Sequence, residues 1–266
     1  MTPLPRLLSA VLLGGCAPFA MAGDDWWARN SDVGRNPVTQ TIDEKYDFSA
    51  AGRVTVHDIQ GSVEVKTGDG NAVSFNYERR GASQQDLDCE KLRYENTRDS
   101  LRIWSEHRRG KACQIIRADD KLTVTVPRGA SIEIRDIGDE VTVTGVEGMV
   151  KLDDIGDTAI VKGVQQLDAG GIGDTLKVEV TRLGPNGIRI DSVGDTVELT
   201  LPSTIDARLR IESVGDEIRA PGLRLDSDDE HDYETVLGQG GPTIRIRSVG
   251  DTVVIRGPRV GRSTSM

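Results

Sequence analysis

From Ser131 onward, aliphatic and polar residues alternate in short runs that all turn over at the same kind of place. The shared pattern is h-x-h-x-x-h-Gly-Asp-x-h-x-h, with h aliphatic. One copy reads Ile132, Ile134, Ile137, Gly138, Asp139, Val141, Val143. Another reads Ile188, Ile190, Val193, Gly194, Asp195, Val197, Leu199, and the last Ile244, Ile246, Val249, Gly250, Asp251, Val253, Ile255. The copies at Gly156, Gly173 and Gly215 fit once Ala159, Ala169 and Ala220 are accepted as h. A degenerate seventh copy comes earlier, with Val54, Val56, Ile59, Gln60, Gly61, Val63 and Val65. Period-two alternation is the mark of a strand with one buried face. The extra residue before Gly-Asp shifts the phase, so each unit reads as strand, corner, strand. Glycine is expected to supply a positive φ at that corner, and Asp to cap it.

The glycines are spaced 18, 17, 21, 21 and 35 residues apart. Units this short cannot be β-α-β, which takes about 30 residues or more. One unit cannot bury its own apolar face, so units must stack. An antiparallel meander would give no reason for one corner to recur in one register. A parallel solenoid would, because it sets equivalent residues about 4.8 Å apart. The expected fold is therefore all-β: a right-handed parallel β-solenoid (β-helix) of about six to seven coils, with a β-rich N-terminal section. The 35-residue interval reads as one 21-residue coil carrying an insertion, the acidic stretch 226–232. The expected organisation is a signal peptide at 1–22, a linker at 23–40, a β-rich section with a disulfide hairpin at 41–127, solenoid repeats at 128–257 and a tail at 258–266. Arg256-Gly257-Pro258-Arg259 is expected to blunt the final edge.

Composition sharpens this picture. Of ten aromatic residues, only Tyr233 follows Trp104, so the repeats must pack on Val, Ile and Leu. Phe48, Phe75, Tyr77, Tyr94 and Trp104 are expected to fill and cap the wider N-terminal core. The 266-residue chain has a net charge of −10, which argues against nucleic acid as a partner.

Residues 1–22 carry the marks of a secretory signal: Arg6, the apolar run Leu7–Leu13 and the Ala20-Met21-Ala22 cleavage site. The run is too short to span a bilayer. Leu13-Gly14-Gly15-Cys16 also fits a lipoprotein box, making Cys16 an alternative lipidation site. The protein is thus expected in the periplasm or at the cell surface, with an outer-membrane lipoprotein as the alternative. Either way Cys89 and Cys113 remain, and an even pair in an exported chain favours a disulfide.

The repeat sets Asp139, Asp157, Asp174, Asp195, Asp216 and Asp251 in a column. These are preferred as solvated turn caps. The competing reading is a row of Ca²⁺ ligands. The acidic stretch 226–232 lacks the glycine and closing Glu of an EF-hand. His57, His107 and His231 have no metal-ligand spacing with another His or Cys. Arg108-Arg109-Gly110-Lys111 reads as a solvated loop, with anionic lipid as an alternative contact. Trp26-Trp27 fits a membrane-interface anchor or a plug on the β-core. No catalytic motif is present, and sugar-active sites need aromatic platforms that the repeats lack.

The Ile/Val-Gly-Asp corners, Val54-Thr-Val-His-Asp-Ile-Gln-Gly-Ser-Val63 and Leu122-Thr-Val-Thr-Val-Pro-Arg-Gly-Ala130 together resemble the bacterial "putative adhesin" family over roughly 45–255. That resemblance implies exported β-solenoid domains and brings no catalytic residues. The expected function is a non-catalytic envelope or surface scaffold, adhesin-like, binding an envelope or extracellular protein or glycan. The alternative is a Ca²⁺- or glycan-binding module using the Asp column or the acidic loop. A glycan-active enzyme ranks third.

Overall fold

The computed structural model describes residues 33, 36–113, 118–223, 226–229 and 232–257. The signal segment, Cys16, Trp26-Trp27, His231 and the tail 258–266 lie outside the described residues. The N-terminal section contributes β1 (Val38–Asp47), β2 (Arg53–Ile59), β3 (Ser62–Gly68), β4 (Ala72–Gly81), the short helix α1 (Gln84–Asp88), β5 (Glu90–Asn96), β6 (Ser100–His107) and β7 (Ala118–Pro127). The repeats follow as β8 (Ser131–Ile137), β9 (Val141–Thr144), β10 (Met149–Ile155), β11 (Ala159–Val164), β12 (Gln166–Ile172), β13 (Leu176–Val180), β14 (Ile188–Val193) and β15 (Val197–Thr200). Beyond them lie β16 (Ala207–Val214), β17 (Glu217–Arg219), β18 (Asp226–Asp229), β19 (Asp232–Leu237), β20 (Thr243–Val249) and β21 (Thr252–Arg256).

The architecture is all-β, in two large mixed sheets. One runs β1-β4-β7-β3-β9-β11-β13-β15-β21-β17 and the other β18-β19-β16-β20-β14-β12-β10-β8-β2-β6-β5. Across the repeats each unit places its first strand in the second sheet and its second strand in the first. Pairing there is parallel and in register. Val54, Ile132, Val150, Leu167, Ile188, Ile244 and Leu209 are successive partners, and all are buried. The inward aliphatic rows of both sheets merge into one core cluster from Phe48 to Ile255. Each buried Val, Leu or Ile contributes about 1.5–3 kcal/mol.

The expectation of one continuous parallel winding is corrected at both ends. Antiparallel pairs join β1 to β4, β4 to β7, β5 to β6, β16 to β19 and β18 to β19. The first strand pair, β2 and β3, is not terminal in either sheet. The chain folds back over it with β4, β6 and β7, and β8 and β9 then dock on its other side. At the far end the last repeat is internal: β20 lies between β14 and β16, and β21 between β15 and β17. The 35-residue interval is therefore not a coil with a loop inserted. The chain skips one rung, builds β16 and β17, turns through the β18–β19 hairpin and returns to fill the gap. Arg256 accordingly does not end the stack. Its outer strands are instead β17 and β18, of 3 and 4 residues, short enough to limit edge pairing.

The aromatics divide. Phe48, Phe75 and Tyr77 are buried, and Tyr94 meets Phe75 edge-on at 5.1 Å. Trp104 instead lies on the outer face, parallel to the His57 ring at 6.0 Å.

Candidate functional site

The corners are built by two columns with different tasks. The residue two before each corner glycine is left-handed: Asp136, Asp154, Gly171, Ser192, Ser213 and Ser248, like Asp58 two before Gln60, have φ of 52–62°. The ladder skips it on both strands at once, as at Asp154 and Asp136, so it is an in-register kink that re-aims both strands together. Asp and Ser tolerate this conformation through local hydrogen bonding. The corner glycines Gly138, Gly156, Gly173, Gly194, Gly215 and Gly250 do not have positive φ, which corrects the sequence-based expectation. They are glycine because a Cβ would strike the carbonyl of the neighbouring corner. Gly156 would meet Gly138 O at 2.5 Å, and Gly194 and Gly250 would overlap Gly173 O and Gly194 O. Gly215 would overlap Gly250 O, which confirms the spatial order of the last two repeats.

Four of these corners pave an open groove of about 730 Å³, lined by Gly173, Gly194, Gly250 and Gly215 with Ser192, Ser248 and Ser213 along it. It forms where the left-handed residue is Gly or Ser. On the preceding coils that position is Asp58, Asp136 and Asp154, whose carboxylates replace hydroxyls. None of the groove's lining residues is titratable.

The Asp column runs beside it. Asp174 N bonds Asp157 O, Asp195 N bonds Asp174 O, Asp251 N bonds Asp195 O and Asp216 N bonds Asp251 O, at 3.0–3.1 Å. Lost hydration and the Asp157 and Glu140 carboxylates hold Asp139 above its ordinary value. Asp195 is raised in the same way, with Asp251 and Asp174 as its neighbours. No cluster of three or more His, Cys, Asp or Glu suited to a metal occurs among the described residues.

The other sequence candidates are dispersed. Cys89 and Cys113 are joined, tying α1 to the segment after β6. His57 is 4% exposed, with Nδ1 2.6 Å from Asp58 Oδ2. Arg102 Nε donates to His57 Nε2 at 3.0 Å, so Nδ1 carries the proton and both ring nitrogens are occupied. The acidic stretch enters the antiparallel β18–β19 pair. On the outward face of the second sheet Glu133, Lys151, Asp168, Arg189, Arg245 and Arg210 are successive partners, so Arg245 precedes Arg210 in space although it follows it in the chain. No helix among the described residues is long and apolar enough to cross a membrane.

Sequence reading missed a buried charge cluster. Arg79, Asp120 and Glu90 are 1%, 2% and 3% exposed. Arg79 donates to Glu90 Oε2 at 3.0 Å and to its backbone carbonyl at 2.9 Å. Arg79 Nε stands 3.0 Å from Asp120 Oδ1, a charge contact too poorly aligned to count as a hydrogen bond. Burial pushes the Asp120 carboxyl up to about 7 against the pull of Arg79. Tyr77 beside it is also raised, by burial and then by the Asp120 charge. The signal was present: inward positions Val73, Phe75 and Tyr77 continue to Arg79, and Val126, Val124 and Leu122 to Asp120.

No family model matches the chain, and no curated protein does. Among solved structures it is similar to a putative adhesin from Bacteroides fragilis, with 12% identity, 84% of this chain and 100% of that one covered, and a TM-score of 0.40. A putative cell adhesion protein from Clostridium sporogenes aligns at 10% identity over 83% and 100% of the chains, with a TM-score of 0.38. A putative lipid binding protein from Parabacteroides distasonis aligns at 12% identity over 83% and 96%, with a TM-score of 0.26. Similarity this distant transfers neither ligand nor role.

Proposed function

We propose that this protein is an exported, non-catalytic binding module of the cell envelope, adhesin-like, periplasmic or at the cell surface. Its parallel repeats would wind as a right-handed β-solenoid, the hand that parallel crossovers take in about 98% of cases. Its partner would be an envelope protein or glycan held along the repeated corner. The observation that carries this reading is the glycine-paved groove, where four corners repeat the same backbone groups and three of them add a hydroxyl, at Ser192, Ser248 and Ser213. A lining free of titratable groups supports binding over catalysis. The test replaces Ser192, Ser213 and Ser248 together by Asp, the residue that already occupies this conformation at Asp136 and Asp154. The filled groove is expected to lose capture of the partner from envelope extract at an unchanged melting temperature. Undiminished capture, or turnover of envelope glycan, overturns the reading. Export route is tested by palmitate labelling, which Cys16→Ser would abolish in a lipoprotein.

A second reading, Ca²⁺ on the Asp column, is favoured by the raising of Asp195 through lost hydration and the neighbouring Asp251 and Asp174 carboxylates. A bound cation would relieve that repulsion and raise the melting temperature. No shift on adding millimolar Ca²⁺ or EDTA removes it.

A further inference from the structure

The N-terminal end of the stack holds a recess of about 950 Å³ between three turns: β1–β2, β3–β4 and β5–β6. Its volume falls within the roughly 300–1,000 Å³ of small-ligand sites. The turns are locked by backbone bonds. Phe48 N donates to Asn71 O at 3.0 Å, Ser49 N to Arg98 O at 2.8 Å and Arg53 N to Asp99 O at 2.9 Å. Thr97 Oγ1 further accepts from Asp99 N and Ser100 N. Buried Phe48 backs the recess, and a Cβ on Gly52 would strike its ring. Tyr46 also lines it, with its hydroxyl held by Glu44 at 3.0 Å; Tyr94 donates to the other Glu44 oxygen at 2.8 Å.

The side chains around this rigid frame are uncommitted. Asp47, Asn71, Asn96, Arg98 and Asp99 are exposed around the recess, and their side chains have no hydrogen-bond or ion-pair partner among the described residues. Five planar polar groups on fixed backbone, beside a pinned aromatic ring, offer paired donors and acceptors, with only their side chains left to order on binding. Two carboxylates against one guanidinium disfavour an anionic ligand, and the guanidinium disfavours a bare cation. An extended peptide would need free backbone groups, and those bridging the turns are bonded to each other.

We propose that this recess binds a neutral saccharide, with Tyr46 packing against a sugar ring and Asn71, Asn96, Arg98 and Asp99 bonding its hydroxyls. The site is separate from the corner groove and does not depend on the function proposed there. It is tested by amide NMR of the full chain titrated with neutral oligosaccharides of glucose, mannose, galactose and N-acetylglucosamine. Oligogalacturonate and calcium chloride serve as contrasts. Shifts at residues 46–50, 71 and 96–99 are expected with at least one neutral sugar. Asn71→Ala with Asn96→Ala should weaken binding about tenfold, at an unchanged melting temperature. Should that pair unfold the protein, Asp99→Asn with Arg98→Ala takes its place. Absence of shifts with every neutral sugar, undiminished binding in the folded variant, or a stronger response of these residues to oligogalacturonate or calcium overturns the proposal.

Discussion

Asp191 and Arg247, 56 residues apart, stand side by side on adjacent parallel strands, where the guanidinium meets both carboxylate oxygens. The same skipped rung brings Arg256 to Glu198 and Arg245 to Glu212, at 2.6 and 2.7 Å. Each of the three pairs joins the inserted last repeat to a neighbouring coil. Glu212 is buried, but the other two pairs are largely exposed and contribute only about 0–1 kcal/mol each, so they select register rather than supply cohesion. Cohesion comes from Ile244, Ile246, Val249, Val253 and Ile255, all buried between coils that precede them in the chain.

Ending the chain at Gly241 therefore removes an internal rung rather than an end. The β16–β17 coil is expected to lose its place as well. Urea unfolding should show a lower midpoint and a smaller m-value, since less surface is buried. An unchanged transition would contradict the insertion.

Arg247→Ala tests the register pair through pH. The Arg247 hydrogen bond is the main cause holding the Asp191 carboxyl below its ordinary value. The stabilisation it brings is complete above the ordinary Asp value of about 3.9 and is lost as pH falls through the lowered folded value. Wild type should exceed the variant by up to about 1 kcal/mol at neutral pH, with the two converging in strong acid.

Gly194→Ala separates close approach from backbone conformation. A methyl there overlaps the Gly173 carbonyl, so a loss of about 1–3 kcal/mol is expected, whereas Ser192→Asp at the left-handed position is nearly neutral. Calorimetry that ranks the two the other way would refute this account of the corner.

Asp120 adds an opposite pH dependence. Its folded value is raised to about 7, so the protonated carboxyl is favoured in the fold. That stability is complete below the ordinary Asp value and is lost as pH rises from about 4 to 7, at up to about 1.4 kcal/mol per pH unit. Asp120→Asn should flatten this limb and gain on wild type at pH 8, read as the midpoint of denaturant unfolding at each pH.

The Cys89–Cys113 bridge closes a loop of 24 residues in sequence separation. Replacing both by Ser is expected to cost about 2–4 kcal/mol, and reductant should then leave the variant's melting unchanged.

Alternation and the recurring Gly-Asp corner determined the strands, the inward faces and the parallel register of the repeats, because a two-residue period and a repeated bend are local properties. Lone cysteines at Cys89 and Cys113 likewise identified their own bridge. Tertiary structure decided which repeat neighbours which. Val193, Val214 and Val249 carry the same local signal, and only the β18–β19 return makes the last of them the middle rung. It also decided why the corners are glycine, since the obstructing carbonyl belongs to another coil and leaves no mark in the residue's own surroundings. The Arg79–Asp120 contact and the recess at Tyr46 depend on segments that meet only after the chain folds back over its first coil. Long-range pairing of that kind is set by packing, which a one-dimensional pattern does not encode.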